Sequence, residues 1–212
     1  MPLKAAIVPV TPFQQNCTLL WEEDTKRGVV VDPGGDLERI EAGVKQAGFV
    51  VDKIILTHGH IDHAGGAAEL KEKLGGIPIE GPHRADQFLL DGLTQQGRAY
   101  GLSEARNVTP DRWLAEGDSI AIAGSTFAVL HCPGHSPGSV VFVNEAQGVA
   151  LVGDVMFRGS IGRTDFPYGD HAALIDAIKR KLLPLPDDLI FICGHGPIGT
   201  IGEERRSNPF LA

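Results

Sequence analysis

The sequence has few cysteines, and this scarcity excludes a fold held together by disulfide bonds. Only three are present among 212 residues, at the widely separated positions Cys17, Cys132 and Cys193. A sparse, odd-numbered set is typical of reduced thiols inside cells, whereas small secreted domains carry dense, paired cysteines. We therefore expect three free thiols in a cytoplasmic protein.

The sequence also lacks a long apolar run and a cluster of basic residues. Residues 1–13 contain a short apolar run broken by prolines, with no cleavage pattern and far fewer than the ~20 apolar residues of a membrane span. Nineteen Lys and Arg stand against 27 Asp and Glu, which gives a formal charge of −8. These absences argue against membrane and nucleic-acid partners. We expect a monomer that acts on a small molecule.

The length of the chain and the order of its predicted elements favour a single domain with one full hydrophobic core. The β-branched run 28–32 predicts a buried strand, and apolar residues at helical spacing predict a helix between Asp36, its N-cap, and Gly48, its stop. Further strands are predicted at 52–56, 77–80, 119–123, 126–131, 139–143, 149–152 and 189–192, and further helices at 64–74 and 171–183. Residues 92–113 are predicted to be loop with short helix. The order indicates an α/β or sandwich fold.

The segment THGHIDHAGG, residues 57–66, contains three histidines and an aspartate within six positions. Imidazoles so close together repel one another when protonated, and a bound metal ion removes that conflict. Imidazole and carboxylate are ligands for zinc and also for iron or manganese. Four donors in one loop do not all fit around one ion, so we expect His58 and His60 at one ion and Asp62 and His63 at a second.

Three more donors follow predicted strands at points where the chain can turn sharply. His135, Asp154 and His195 are each flanked by glycine or proline, which allows the tight turns that aim a side chain at a metal. Loops fixed by rigid strands are the usual place for site residues. The sequence therefore predicts seven metal-binding side chains.

Together these motifs resemble the metallo-β-lactamase superfamily, and specifically the short bacterial form of its glyoxalase II (hydroxyacylglutathione hydrolase) branch. The likeness extends over nearly the whole chain, through the segments 15–17 (QNC), 31–36 (VDPGGD), 162–167 (GRTDFP), 175–184 (IDAIKRKLLP) and 208–211 (NPFL). The resemblance implies an α/β fold, a four-layer αββα sandwich that forms one domain over residues 1–212. It implies a site at one edge of the two sheets.

The resemblance also implies two metal sites that share one carboxylate. One ion would be held by His58, His60 and His135, the other by Asp62, His63 and His195, with Asp154 bridging. Zinc is the first candidate metal, with iron or manganese as alternatives. Asp62 and Asp154 are the implied catalytic side chains, acting with a hydroxide shared by the ions, because metal binding lowers the pKa of water from 15.7 to about 7.

The implied substrate is S-D-lactoylglutathione or a related hydroxyacyl-glutathione thioester, cleaved to a hydroxy acid and glutathione as in methylglyoxal detoxification. Longer relatives carry a C-terminal helical glutathione-binding domain, whereas only residues 196–212 follow His195 here. We therefore expect weaker selection for the glutathione part. Arg163, Arg205 and Arg206 are candidate partners for a glutathione carboxylate.

Three other functions stay open from the sequence. Persulfide dioxygenases share these motifs and a GRTDF segment, and use a single iron that here would be held by His58, His135 and Asp154. A lactonase or lactamase is supported by the fold alone. A non-catalytic metal-binding protein is disfavoured, because a structural site closes around one ion with four ligands and seven donors are present.

Several neighbouring residues have an expected role outside the metal ligands. Asp32 is expected either to orient a ligand imidazole or to cap a turn. Arg163 and Asp165 are expected to form a structural ion pair. Thr57 is expected to hold the ligand loop by hydrogen bonds. Surface, capping or core roles are expected for the remaining histidines, His83, His131 and His171.

Overall fold

The first β-sheet of the protein is formed by the N-terminal half of the chain in a computed structural model that describes residues 3–211. Its strands, hydrogen-bonded in chain order, are β1 Leu3–Val10, β2 Gln15–Glu22, β3 Arg27–Val31, β4 Val50–Ile55 and β5 Ile79–Glu80. The strands β1 to β3 are antiparallel, whereas β3, β4 and β5 run parallel. The helices of this half are α1 Leu37–Ala47, α2 Ile61–Ala64, α3 Ala67–Lys73, a 3₁₀ turn Arg84–Asp86, α4 Gln87–Leu90 and α5 Leu93–Tyr100.

The second half of the chain forms a six-stranded sheet and a small hairpin. The strands are β6 Ser119–Ile122, β7 Ser125–His131, β8 Val140–Asn144, β9 Val149–Gly153, β10 Met156–Phe157, β11 Ser160–Ile161, β12 Ile190–Cys193 and β13 Gly199–Thr200. The sheet order is β13-β12-β9-β8-β7-β6, and β10 pairs with β11. Because β7, β9 and β12 point in the same direction, their C-terminal ends lie at one edge. The helices are α6 His171–Ala177, continued by a π-helical turn Ile178–Leu182, and α7 Ile201–Ser207.

The buried side chains define four layers. Successive residues of a strand point to opposite faces, so Val30 packs in one cluster with Ile40 of α1, while Val29 packs in another with Phe127 of β7. The cluster that contains Val29 fills the space between the two sheets. Leu174 of α6 belongs to a third cluster, on the outer face of the second sheet. Helix, sheet, sheet and helix therefore follow one another, which confirms the αββα sandwich.

All predicted strands are present, but the helix predicted at 64–74 is wrong as a single element. The chain instead forms α2 and α3, separated at Gly65 and Gly66. The amide of Gly66 donates to the carbonyl of Pro33 at 2.9 Å, and a Cβ on Gly65 would lie 2.8 Å from the carbonyl oxygen of Gly34. Close approach of the loop after β3 thus interrupts the helix and keeps both positions free of side chains.

Two smaller expectations are also tested by the fold. Asp36 occupies the N-cap position of α1, but its carboxylate accepts a hydrogen bond from the amide of Thr11 at 2.9 Å instead of capping the helix. The cysteines at 17, 132 and 193 are free and buried, as predicted. Within residues 3–211, no helix has the length and apolar character needed to cross a membrane.

Candidate metal centre

Four loops bring the predicted donors together at one edge of the sandwich. After β4 of the first sheet, a loop carries His58 and His60, and α2 carries Asp62 and His63. The loops after β7, β9 and β12 of the second sheet carry the other three donors, His135, Asp154 and His195. All seven predicted side chains therefore meet between the two sheets.

The first trio consists of His58, His60 and His135, whose nitrogens all lie within 4.8 Å of one another. Nε2 of His58 and Nε2 of His135 lie 3.0 and 2.9 Å from Nδ1 of His60. Three nitrogens that converge on one point are a suitable binding site for a divalent cation.

The outward-facing nitrogen of each histidine in the first trio has its own partner. Nδ1 of His58 lies 3.1 Å from Oγ1 of Thr57, Nε2 of His60 lies 2.8 Å from the hydroxyl of Tyr168, and Nδ1 of His135 lies 2.9 Å from the carbonyl of Arg163. The carbonyl of Arg163 can only accept a hydrogen bond, and the hydroxyl of Thr57 already donates to Asp32 and so accepts from His58. Nδ1 of His58 and Nδ1 of His135 are therefore the donors, which leaves the inward Nε2 atoms unprotonated.

The second trio consists of Asp62, His63 and His195. Oδ2 of Asp62 lies 3.2 Å from Nε2 of His195 and 3.9 Å from Nε2 of His63. The other nitrogen of His63 donates to Oδ2 of Asp32 at 2.8 Å, and the same carboxylate accepts from Thr57 through Oγ1 at 2.6 Å and the amide at 2.8 Å. Asp32 therefore orients His63, and Thr57 holds the ligand loop, as two of the sequence-based hypotheses state.

Asp154 lies between the two trios. Its Oδ1 is 3.3 Å from Nε2 of His63, and its Oδ2 is 3.5 Å from Nε2 of His135 and 3.6 Å from Nε2 of His195. One carboxylate thus faces histidines of both trios.

Burial and charge together set the protonation of the cluster. Burial, followed by the neighbouring imidazoles, keeps the pKa of His58 well below its ordinary value and lowers that of His60 to about 3. Burial opposes protonation of His63 too, but the carboxylates around it, Asp154 foremost, outweigh burial and raise its pKa. The first trio is therefore neutral, in the form that binds metal, and the carboxylates offset positive charge at the second.

Unpaired atoms show that the cluster fits a metal. Among buried side-chain atoms of the described residues, Nε2 of His63 and Oδ1 of Asp154 face each other without a hydrogen-bond partner. Such orphaned polar atoms are costly unless a ligand completes them. A Cβ on Gly194 would lie 2.0 Å from that Oδ1 atom, so glycine keeps the space open. These observations fit divalent cations held by imidazole and carboxylate donors.

Three residues at the centre were not assigned a role from the sequence. Tyr168 holds His60 by the contact above, and burial raises its pKa to about 12, so the hydroxyl stays protonated. Asp86 joins the loop after β4 to the loop after β7, and Asn16 joins β2 to the loop after β12. Asp86 and Tyr168 belong to no recognisable motif, and Asn16 belongs to a segment that carried the resemblance without a chemical role.

The three remaining histidines and the pair Arg163 and Asp165 belong to neither trio. His83 caps the 3₁₀ turn by accepting from the amide of Ala85 at 3.2 Å and stacks on His131, with ring centroids 4.0 Å apart. His171 contacts Thr164. Arg163 and Asp165 form the predicted ion pair, with Nε to Oδ1 at 2.7 Å.

An αββα sandwich whose strand-end loops gather two trios of histidine and carboxylate defines a class of proteins built around a divalent metal centre. The chain belongs to the Metallo-beta-lactamase superfamily, whose sequence profile matches residues 10–195. Hydroxyacylglutathione hydrolase GloC of Haemophilus influenzae is 47% identical over 97% of this chain and 96% of its own. The crystal structure of BLEG-1 B3 metallo-beta-lactamase superposes with a TM-score of 0.87 at 38% identity, covering 98% of this chain and 99% of that one. TTHA1623 in a di-iron-bound form gives a TM-score of 0.86 at 40% identity, covering 97% and 100%.

Proposed function

We propose that the protein is a binuclear metallohydrolase that cleaves S-D-lactoylglutathione, or a related hydroxyacyl-glutathione thioester, to a hydroxy acid and glutathione. The name of the Haemophilus influenzae relative, 47% identical over 97% of the chain, supports this substrate class. The observation that carries the binuclear assignment is the position of Asp154, whose carboxylate faces both trios.

In this proposal each trio would hold one ion, and Asp154, which faces both trios, would be shared between them. The first ion is held by His58, His60 and His135, and the second by Asp62, His63 and His195. A third group, made of Asp32, His58 and His63, also converges, but its Asp32 carboxylate is engaged by Thr57 and His63. Zinc is the first candidate metal, and the di-iron form of TTHA1623 supports iron as an alternative.

Divalent ions held in this cluster lower the pKa of a bound water and polarise a carbonyl oxygen. The side chains of the protein would position the ions and offset their positive charge. Asp62 and Asp154, whose Oδ2 atoms lie 3.2 and 3.6 Å from Nε2 of His195, would offset the positive charge of the ions beside that imidazole. Tyr168 and Asp32 keep the imidazoles of His60 and His63 in place.

A cysteine nucleophile is a poor alternative at this site. Burial raises the pKa of Cys193 to about 11 and that of Cys132 to about 12, so both thiols stay neutral, whereas the nucleophile is the thiolate. Burial likewise raises the pKa of Cys17 well above its ordinary value. Attack by water at the metal centre requires none of these thiols.

A single-iron persulfide dioxygenase is the rival within the same fold. Its iron would be held by His58, His135 and Asp154, and its family carries the same motifs, so the 47% identity to the Haemophilus influenzae hydrolase, and not the ligand set, favours hydrolysis. Two trios favour two ions. For the same reason, a structural site that closes around one ion does not account for this cluster.

The deciding experiment measures metal content, thiol release from S-D-lactoylglutathione and oxygen uptake on one preparation. We expect about two ions per chain and thiol release that does not depend on oxygen. One iron per chain with persulfide-dependent oxygen uptake would replace the proposal. We also propose that the enzyme is a monomer that acts in methylglyoxal detoxification. We further propose that it is cytoplasmic, and its three free, buried cysteines support that location.

A further inference from the structure

Each trio is assembled from both halves of the sandwich. In the first trio, His58 and His60 come from the loop after β4, and His135 comes from the loop after β7 of the other sheet. In the second, helix α2 of the first half supplies Asp62 and His63, and the loop after β12 supplies His195. The distances within each trio therefore depend on how the loops of the two sheets are held against each other.

Asp86 holds the two loops of the first trio together. Its carboxylate is fully buried and accepts three hydrogen bonds: Oδ2 from the amide of Gly59 at 2.8 Å and from Oγ of Ser136 at 2.7 Å, and Oδ1 from the amide of Gly138 at 2.6 Å. Gly59 lies between His58 and His60 in the sequence, whereas Ser136 and Gly138 follow the third histidine of the trio. One carboxylate thus joins the backbone of both loops.

The surroundings of Asp86 show how closely the loops approach it. A Cβ on Gly138 would lie 2.6 Å from Cγ of Asp86, and a Cβ on Gly59 would lie 3.2 Å from the Cβ of Asp86 and 2.9 Å from that of Leu89. A side chain at Gly138 would displace the carboxylate, and one at Gly59 would press on Leu89. Gly59 and Gly138 are therefore required for the close contact of both loops with Asp86.

Asn16 makes the corresponding connection at the second trio. This residue lies in β2 of the first sheet and is 8% exposed. Its Nδ2 donates to the carbonyls of Cys193 at 3.0 Å and Gly196 at 2.9 Å, and its amide donates to the carbonyl of Gly194 at 2.7 Å. These three carbonyls surround His195 along the loop after β12.

We propose that Asp86 and Asn16 are two independent positioning residues, Asp86 for the metal site of the first trio and Asn16 for that of the second. In Asp86→Asn, one oxygen becomes an NH₂ group that faces backbone N–H donors, so the loops must separate. In Asn16→Ala, the carbonyls around His195 lose their donor. Each change should weaken one metal site and spare the other. The inference rests on the ligand assignment in the proposed function.

The test is a titration of the metal-free chain with cobalt(II), followed by visible absorption in competition with a chelator, which gives two dissociation constants. His60→Ala and His195→Ala identify which constant belongs to which trio. We expect Asp86→Asn to raise the dissociation constant of the first trio's metal site, which contains His60, roughly 10- to 100-fold. Asn16→Ala should raise that of the second trio's site, which contains His195, by a similar factor. This is the usual cost of removing a residue that orients a ligand.

Double variants sharpen the assignment. Adding Asp86→Asn to His60→Ala should change little, because that site is already lost, whereas adding it to His195→Ala should leave no tight site. Asp111→Asn is the matched control, since this aspartate also accepts from a backbone amide, that of Ile79 at 2.7 Å, away from the ligand loops. Both constants should keep their wild-type values in the control.

The outcomes separate this inference from the function on which it rests. Fewer than two cobalt ions bound by the wild type, or an unchanged His60→Ala variant, would overturn the ligand assignment itself. If the wild type binds two ions and Asp86→Asn alters both dissociation constants or neither, then Asp86 does not position the first trio alone. That result would overturn the assignment of one positioning residue to each metal site. If Asp86→Asn does not fold, Ser136→Ala takes its place in the same titration. This variant keeps two of the three hydrogen bonds to Asp86, so it should weaken the first trio's metal site by a smaller factor.

Discussion

At the scale of single residues, the centre depends on carboxylates with different tasks. Asp32 has no place in either trio, because its oxygens are taken by Thr57 and His63. Asp154, by contrast, has an unpaired Oδ1 and faces both trios. The same side-chain type therefore orients a ligand in one position and offers itself as a ligand in the other, and the distinction lies in which atoms are already bonded.

The Asp154→Ala variant should lose turnover and bind both ions more weakly, because the proposed bridging carboxylate is removed from both sites at once. Metal content after gel filtration and thioester hydrolysis measure the two effects. His83→Ala is the control: its ring stacks on His131 outside the cluster, so both ions and most of the rate should remain. Full activity with two tightly held ions in Asp154→Ala would contradict the bridging role.

At the level of helices and strands, most strands that precede a metal-binding residue were predictable from the sequence. Each is an apolar, often β-branched run that is followed directly by glycine, proline or a metal-binding His or Asp. The break between α2 and α3 was not predictable, since it arises from contact of Gly65 and Gly66 with the distant loop after β3. Strands β1 and β2 were not predicted either. The donors could be read from local spacing, whereas Asp86 acts only through residues brought near it by the fold.

The loop after β12 gives a prediction at this scale. The φ angle of Gly194 is not in the left-handed range that favours glycine, but a Cβ there would lie 2.0 Å from Oδ1 of Asp154 and 2.5 Å from Cε1 of His63. Gly194→Ala should therefore fold and yet bind metal much more weakly, although every proposed ligand is retained. Gly92→Ala, whose new Cβ meets only atoms at 3.4 Å or beyond, is the control. Wild-type metal content in Gly194→Ala would show that Asp154 does not need its present position.

At the scale of the whole molecule, metal binding should stabilise the sandwich, because each trio joins donors from both halves. A ligand that binds only the folded chain adds about 2.7 kcal/mol when its free concentration is 100 times its Kd. For a chain of this size, that corresponds to a Tm roughly 5–10 °C higher for each site. Calorimetry with and without a chelator measures the shift. It should shrink in Asp154→Ala, and an unchanged Tm on metal removal would speak against ions that span the two halves.

The fold also determines which side chains are available to hold the glutathione part of a substrate. Three arginines were candidate partners for its carboxylates, and all three are engaged elsewhere. Arg205 donates to the carbonyls of Leu183 and Leu185 and pairs with Asp187, which also contacts Arg206. Arg163 pairs with Asp165 through two bonds of 2.7 Å. A glutathione carboxylate must therefore compete with existing ion pairs.

We accordingly expect the tripeptide to contribute little to the reaction. An exposed ion pair is worth about 1 kcal/mol or less, so exchanging one partner for another gains little binding energy. The chemistry takes place at the metal centre, and contacts remote from the reacting bond act mainly on binding. Shortening the thiol part of the thioester should then raise KM by less than about tenfold and leave kcat nearly unchanged. The comparison uses S-D-lactoylglutathione and the same acyl group on truncated thiols, with one zinc-loaded preparation. A loss of kcat/KM by a factor of a thousand or more on truncation would reveal a dedicated glutathione site, and Arg163→Ala, set against Arg206→Ala, would then test whether the arginine beside the centre provides it.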